Sequence, residues 1–111
     1  KRSKIVAIQV LDCSGQGQNT DLIIAIDWIV RNGERPGVIN LSVGGPKSLS
    51  VTKAIQVAIS KGFVVVAAAG NSAVDSCTMS PSDSPDAIIV GAIDENNRRT
   101  KFSNYGKCVT L

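Results

Sequence analysis

Apolar and polar residues alternate along the chain in blocks that predict four strands and two helices. Lys4–Leu11 (KIVAIQVL) is rich in Ile and Val, which predicts a strand buried on both faces. A polar, glycine-bearing loop follows from Asp12 to Asn19, and Thr20 or Asp21 can cap a helix over Leu22–Asn32 that Gly33 ends. That segment is apolar almost all round (Leu22, Ile23, Ile24, Ile26, Trp28, Ile29, Val30), so a central, buried helix is expected. Val38–Val43 predicts a second strand, stopped by Gly44-Gly45-Pro46.

Ser48 or Ser50 can cap the next helix, which runs to Lys61 with Val51, Ala54, Ile55, Ala58 and Ile59 forming one apolar stripe. Gly62 closes it, and Phe63–Ala69 (FVVVAAA) predicts a third buried strand. Gly70–Asp86 reads as a long polar turn region before a fourth strand at Ala87–Ile93. Strands alternating with helices call for an α/β fold with a mostly parallel sheet and right-handed crossovers. Ligands of such sheets sit beyond the carboxyl ends of the strands, here Asp12–Gly17, Ser42–Gly45 and Gly70–Asn71.

Composition narrows the chemistry. Hydrophobic residues make up 43% and charged residues 19% of the 111, values of a globular chain. Twelve Lys and Arg against nine Asp and Glu leave a net charge of +3, too small and scattered to argue for nucleic acid or an anionic membrane. No apolar stretch reaches the ~18 residues of a membrane helix. Histidine is absent, so neither a Ser/His/Asp nor a Cys/His set can be completed within the chain, and no zinc site can use imidazole. Gly15-Gln16-Gly17 opens a G-x-G-x-x-G pattern but Thr20 stands at the third position, and no Walker motif occurs, so a nucleotide site has little support. Small residues at three strand ends fit better with an extended peptide laid against exposed backbone.

Several blocks in order then become specific: Val10–Gly17, Val38–Gly45, Ala67-Ala68-Ala69-Gly70-Asn71, Ser80-Pro81, Val90-Gly91-Ala92 and Phe102-Ser103-Asn104-Tyr105-Gly106. Together they resemble the subtilisin-like serine proteases, closest to the secreted, proteinase K-like branch, over essentially the whole chain. The resemblance implies a three-layer subtilisin-like fold of which residues 1–111 are an internal segment. It implies serine endopeptidase activity for the intact parent, with the catalytic Asp and His before this segment and the nucleophile after it. Asn71 matches the oxyanion-hole asparagine, whose neutral carboxamide donates to the negative oxygen of a tetrahedral intermediate. Ser42, Val43 and Gly44 match one wall of the S1 pocket, Ala68, Ala69 and Gly70 the opposite wall, and Gly15, Gln16 and Gly17 the strand that pairs with substrate backbone.

The resemblance also pairs Cys77 with Cys108 and leaves Cys13 without its usual partner, which implies an oxidising compartment and a secreted, monomeric parent acting on proteins or peptides. No cofactor is expected. Relatives bind calcium through carbonyls at positions matching Pro85 and Ala87 and a carboxylate matching Thr110, which has no charge to offer. Asp83, Asp86, Asp94 and Glu95, with Arg98, Arg99 and Lys101, read as solvated surface. The second functional reading is a subtilisin-like protein that binds partners without cleaving them.

Overall fold

The structure is a computed structural model that describes residues 3–111. Its elements are α1 (Asn19–Asn32), β1 (Gly37–Leu41), β2 (Gly45–Pro46), α2 (Leu49–Ser60), β3 (Phe63–Ala68), a 3-10 turn at Ser76–Thr78, β4 (Met79–Ser80) and β5 (Ile88–Val90). β1, β3 and β5 form a parallel sheet with β3 in the middle, in the register Leu41 beside Ala67 and Ala67 beside Ile89. β2 and β4 form a separate antiparallel clip. The backbone of Thr110 and Leu111 donates to the Ile89 carbonyl at 2.8 and 3.1 Å, which covers the outer edge of β5.

The core lies on one face of this sheet. Phe63, Val65 and Ala67 alternate inward along β3 and meet Val51, Ile55 and Ala58 of α2 and Leu22 and Ile26 of α1. The apolar stripe expected on α2 is therefore its buried face, and Ile55 and Ala58 are wholly enclosed. The opposite face of the sheet carries Val38 and Val64, both substantially exposed. β3 is thus buried on one face and half-open on the other within this chain, because both helices pack on the same side. The chain supplies the sheet and one helical layer of the α/β architecture.

Three expectations need correction. Residues 4–11 form no strand: they pair with no sheet edge among the described residues, and Ile5 is 90% exposed. Without that covering, α1 is not buried all round. Leu22, Ala25 and Ile26 face the core, while Ile24 and Trp28 open onto a groove of about 970 Å³ shared with residues 6–12. The helix also begins three residues before Leu22. Gln18 occupies the N-cap, and Asp21 acts from the third helical position by accepting the Gln18 N–H at 3.3 Å. Gly33 ends α1 in extended backbone (φ −70°), so close packing explains the glycine: a Cβ would lie 2.6 Å from the Ile29 carbonyl oxygen and 3.0 Å from Phe63.

The Gly70–Asp86 region is polar, and its second half is largely interior. Ser76, Ser80, Ser82 and Ser84 are buried, and Ser82 donates to the Ser76 carbonyl at 2.8 Å. Asp83, expected at the surface, has a side chain only 5% exposed. It accepts hydrogen bonds from Ser80 (2.8 Å) and Thr52 (3.1 Å), with Lys47 Nζ 3.6 Å away. Asp86, Asp94, Glu95, Arg98, Arg99 and Lys101 are exposed as expected.

Two cross-links fix the frame. Arg35 donates from Nε to the Lys61 carbonyl (2.6 Å) and from Nη2 to the Val30 carbonyl (2.7 Å), with its guanidinium 4.8 Å from the Phe63 ring centre. One side chain thereby satisfies carbonyls at the ends of both helices. Cys77 and Cys108 form a disulfide with a Cα separation of 5.4 Å, and Cys13 is free and exposed. No helix among the described residues is long and apolar enough to cross a membrane.

Candidate functional site

The carboxyl ends of β1, β3 and β5 meet at an open depression of about 420 Å³. Ser42 closes it on the β1 side, Ala68, Gly70 and Asn71 on the β3 side, and Gly91 and Ala92 at the end of β5. Parallel strands in register bring these three termini to one level, and small side chains there keep the space open. No ionisable side chain lines it, so its electrostatics come from amide, hydroxyl and main-chain dipoles.

Asn71 is exposed, and its carboxamide engages no hydrogen-bond partner among the described residues. The turn that presents it is tightly built. Gly70 has φ +101°, a left-handed backbone that side chains rarely adopt. Asn104, buried beneath the turn, donates from Nδ2 to the Ala69 carbonyl at 2.8 Å. Its Oδ1 accepts the N–H groups of Ser72 (2.9 Å) and Val74 (3.2 Å).

Of the residues expected around a substrate slot, Ser42, Ala68, Gly70 and Asn71 share the depression. Val43 packs against the core, Ala69 is fully buried, and Gly44 is exposed with open space around it. Gly15, Gln16 and Gly17 are not among its lining. Because residues 4–11 form no strand, the Asp12–Gly17 loop is no third sheet terminus, and Gln16 and Gly17 line the groove against α1 instead. That loop closes on Asp12, whose carboxylate accepts the Ser14 hydroxyl (2.6 Å) and the N–H groups of Ser14 (2.8 Å) and Gln16 (3.0 Å). The Ser14 hydroxyl above all, then the main-chain donors, holds the Asp12 carboxyl below its ordinary range.

The calcium positions do not fit a hard dication. Thr110 Oγ1 accepts the Ile89 N–H at 3.0 Å and carries no charge, so its hydroxyl serves the edge of β5. Among the described residues no three His, Cys, Asp or Glu side chains converge. Sequence reasoning named the Phe102–Gly106 block without giving it a part. The signal available there was a polar Asn between Ser103 and Tyr105, and its burial against Gly70 becomes visible only in three dimensions.

Known proteins match this chain along its whole length. The sequence pattern described as the Subtilase family matches residues 1–111. An extracellular serine proteinase of Thermus sp. (strain Rt41A) is 44% identical over 104 residues, covering 94% of this chain and 25% of that protein. Alkaline serine exoprotease A of Vibrio alginolyticus is 38% identical over 111 residues, covering 100% of this chain and 21% of that protein. A crystal structure of a cold adapted subtilisin-like serine proteinase superposes with a TM-score of 0.89 at 40% identity, covering 91% of this chain and 37% of the other. The chain spans about a quarter of the length of the curated relatives it matches.

Proposed function

The chain belongs to the subtilase family and has a subtilisin-like α/β fold, and from that premise we propose that it is an internal segment of a serine endopeptidase that hydrolyses peptide bonds in proteins. The observation that carries the proposal is the unengaged carboxamide of Asn71 at the rim of a neutral depression bounded by Ser42 and Ala68. When a nucleophile adds to a scissile carbonyl, charge builds on the carbonyl oxygen. A neutral amide aimed at that oxygen stabilises it without changing protonation, and it is already oriented when the reaction occurs.

The chain lacks histidine and none of its serines stands in a G-x-S-x-G or G-T-S-M context, so proton transfer and the nucleophile fall to residues outside it, and the 111-residue piece alone has no peptidase activity. Its own residues bind and orient. The small side chains at Ser42, Ala68 and Gly70 leave room for a sizeable apolar P1 group, and Val43, Gly44 and Ala69 carry the main chain that leads to and from these positions. Gly15, Gln16 and Gly17 lie exposed and offer main chain to an extended substrate. No calcium is assigned to Pro85, Ala87 and Thr110. The parent is read as secreted, a reading supported by the extracellular designation of the Thermus relative and by the Cys77–Cys108 disulfide, and it is taken to act as a monomer.

A protein that binds partners without cutting them has no use for an unspent donor at this place, so Asn71 favours the enzyme. The test is expression of the full coding region and assay on denatured casein, with and without a serine-directed fluorophosphonate. Hydrolysis abolished by the reagent is expected. Tight substrate binding with no cleavage, or cleavage indifferent to the reagent, contradicts the proposal.

A further inference from the structure

Among the described residues Asn71 makes no hydrogen bond through its side chain, so its location is set by the main chain on either side of it. That main chain is gripped from below by one residue. Asn104 is 1% exposed and makes four hydrogen bonds to the Ala69–Val74 turn. Two precede Asn71: Nδ2 to the Ala69 carbonyl at 2.8 Å, and the Asn104 main-chain N–H to the Gly70 carbonyl at 2.9 Å. Two follow it: Oδ1 accepts from the N–H groups of Ser72 at 2.9 Å and Val74 at 3.2 Å.

The chemistry fits only an amide. One end of the side chain must donate to a carbonyl while the other accepts two N–H groups. A carboxylate has no donor for Ala69, and an alkyl group of similar size leaves the buried turn groups unpaired. Gly70 shows how closely the parts fit, since a Cβ on it would lie 2.4 Å from Asn104 Nδ2. Asn104 is in turn held by its neighbour: the Ser103 hydroxyl donates to the Asn104 carbonyl at 3.0 Å and accepts the Ala92 N–H at 2.9 Å. The same pair of residues thus ties the Asn71 turn to the end of β5 across the depression.

We infer that Asn104 is a positioning residue, which acts through the Ala69–Val74 turn to hold the Asn71 carboxamide at the rim of the depression with both its donors free. The inference rests on the proposed role of Asn71 and extends it: the donor is exposed and uncommitted, and the rigidity it needs is supplied by a buried amide on another segment. Misplacing a catalytic donor by about 1 Å can cost on the order of 10² in rate.

The experiment is a double-mutant cycle in the intact protease with a peptide anilide, rates being expressed per active site by titration. Asn104→Asp, Asn104→Ala and Ser103→Ala are each made alone and with Asn71→Ala. Ser103→Ala removes the hydroxyl that holds the Asn104 carbonyl while leaving the Asn104 side chain and the depression's lining intact, which keeps the test open where an Asn104 variant does not fold. The expected result is a kcat lowered by about 10²-fold with KM little changed, and a further effect within about twofold once Asn71 is already Ala. A purely structural role lowers the amount of titratable enzyme but leaves kcat per site intact, and that result overturns the inference. So does an equal loss in both backgrounds. If Asn71→Ala alone leaves kcat unchanged, the proposed function itself fails and takes the inference with it.

Discussion

Removing the Cys77–Cys108 bridge gives the sharpest test of how the segment is held together. The bridge spans 31 residues, a stretch containing β4, β5 and Asn104. In the chain-entropy treatment a link of that span removes about 12 cal/mol/K from the unfolded chain, or about 3.7 kcal/mol at 25 °C. Native contacts beside the bridge survive its loss: Ser76 N–H donates to the Tyr105 carbonyl at 2.8 Å and Tyr105 N–H to the Val74 carbonyl at 3.1 Å. The loss therefore falls mainly on the unfolded state, where residual structure reduces it to about 2–3.5 kcal/mol. Guanidinium unfolding of the inhibitor-blocked intact protein, with Cys77→Ser and Cys108→Ser together, measures it. With a slope of about 2–6 kcal/mol/M, the midpoint falls by roughly 0.3–1.8 M. An unchanged midpoint in the double variant refutes the reasoning.

Arg35→Ala leaves two helix-end carbonyls without their donor and removes the stacking on Phe63, and the same unfolding assay is expected to show a loss of about 1–3 kcal/mol. Arg35→Lys recovers only part of it, because a single ammonium does not reproduce the planar fork. The Asp12 carboxyl titrates below its ordinary value of 3.8, so the order it gives the Asp12–Gly17 loop is complete above that value and is lost as pH falls through the lower native one. Carboxyl-carbon NMR against pH reads this directly, and Ser14→Ala, which deletes the largest cause, moves the titration upward. The isolated 111-residue chain shows no hydrolysis of a peptide anilide at any pH; turnover sensitive to a serine-directed reagent contradicts the absence of a complete catalytic set.

Periodicity carried most of the fold where an element meets its neighbours inside the chain. The stripe Val51, Ile55, Ala58 predicted both α2 and the face it buries, and FVVVAAA located the central strand to within a residue. It misled where burial depends on a partner surface. Lys4–Leu11 has the composition of a buried strand but finds no sheet edge, and α1 keeps Ile24 and Trp28 open for the same reason. Polarity misled in the opposite direction at Asp83 and the buried serines, since a polar segment can be interior when its members satisfy one another. The Ser42 and Gly70–Asn71 termini of the candidate site were legible from strand order and small residues. Asn104 was not, because its partners are main-chain groups thirty or more residues away in sequence.

The central claim is that a neutral side-chain amide, held at the end of the middle strand, stabilises the charge that develops as a peptide bond is cut. Measuring kcat for Asn71→Ala in the intact protease tests it most directly. Loss of one such donor, as known from a subtilisin in this same family, costs on the order of 10²–10³ in kcat. The account predicts a fall of that size with KM nearly unchanged. A kcat equal to that of the unaltered enzyme, or a loss confined to KM, contradicts it.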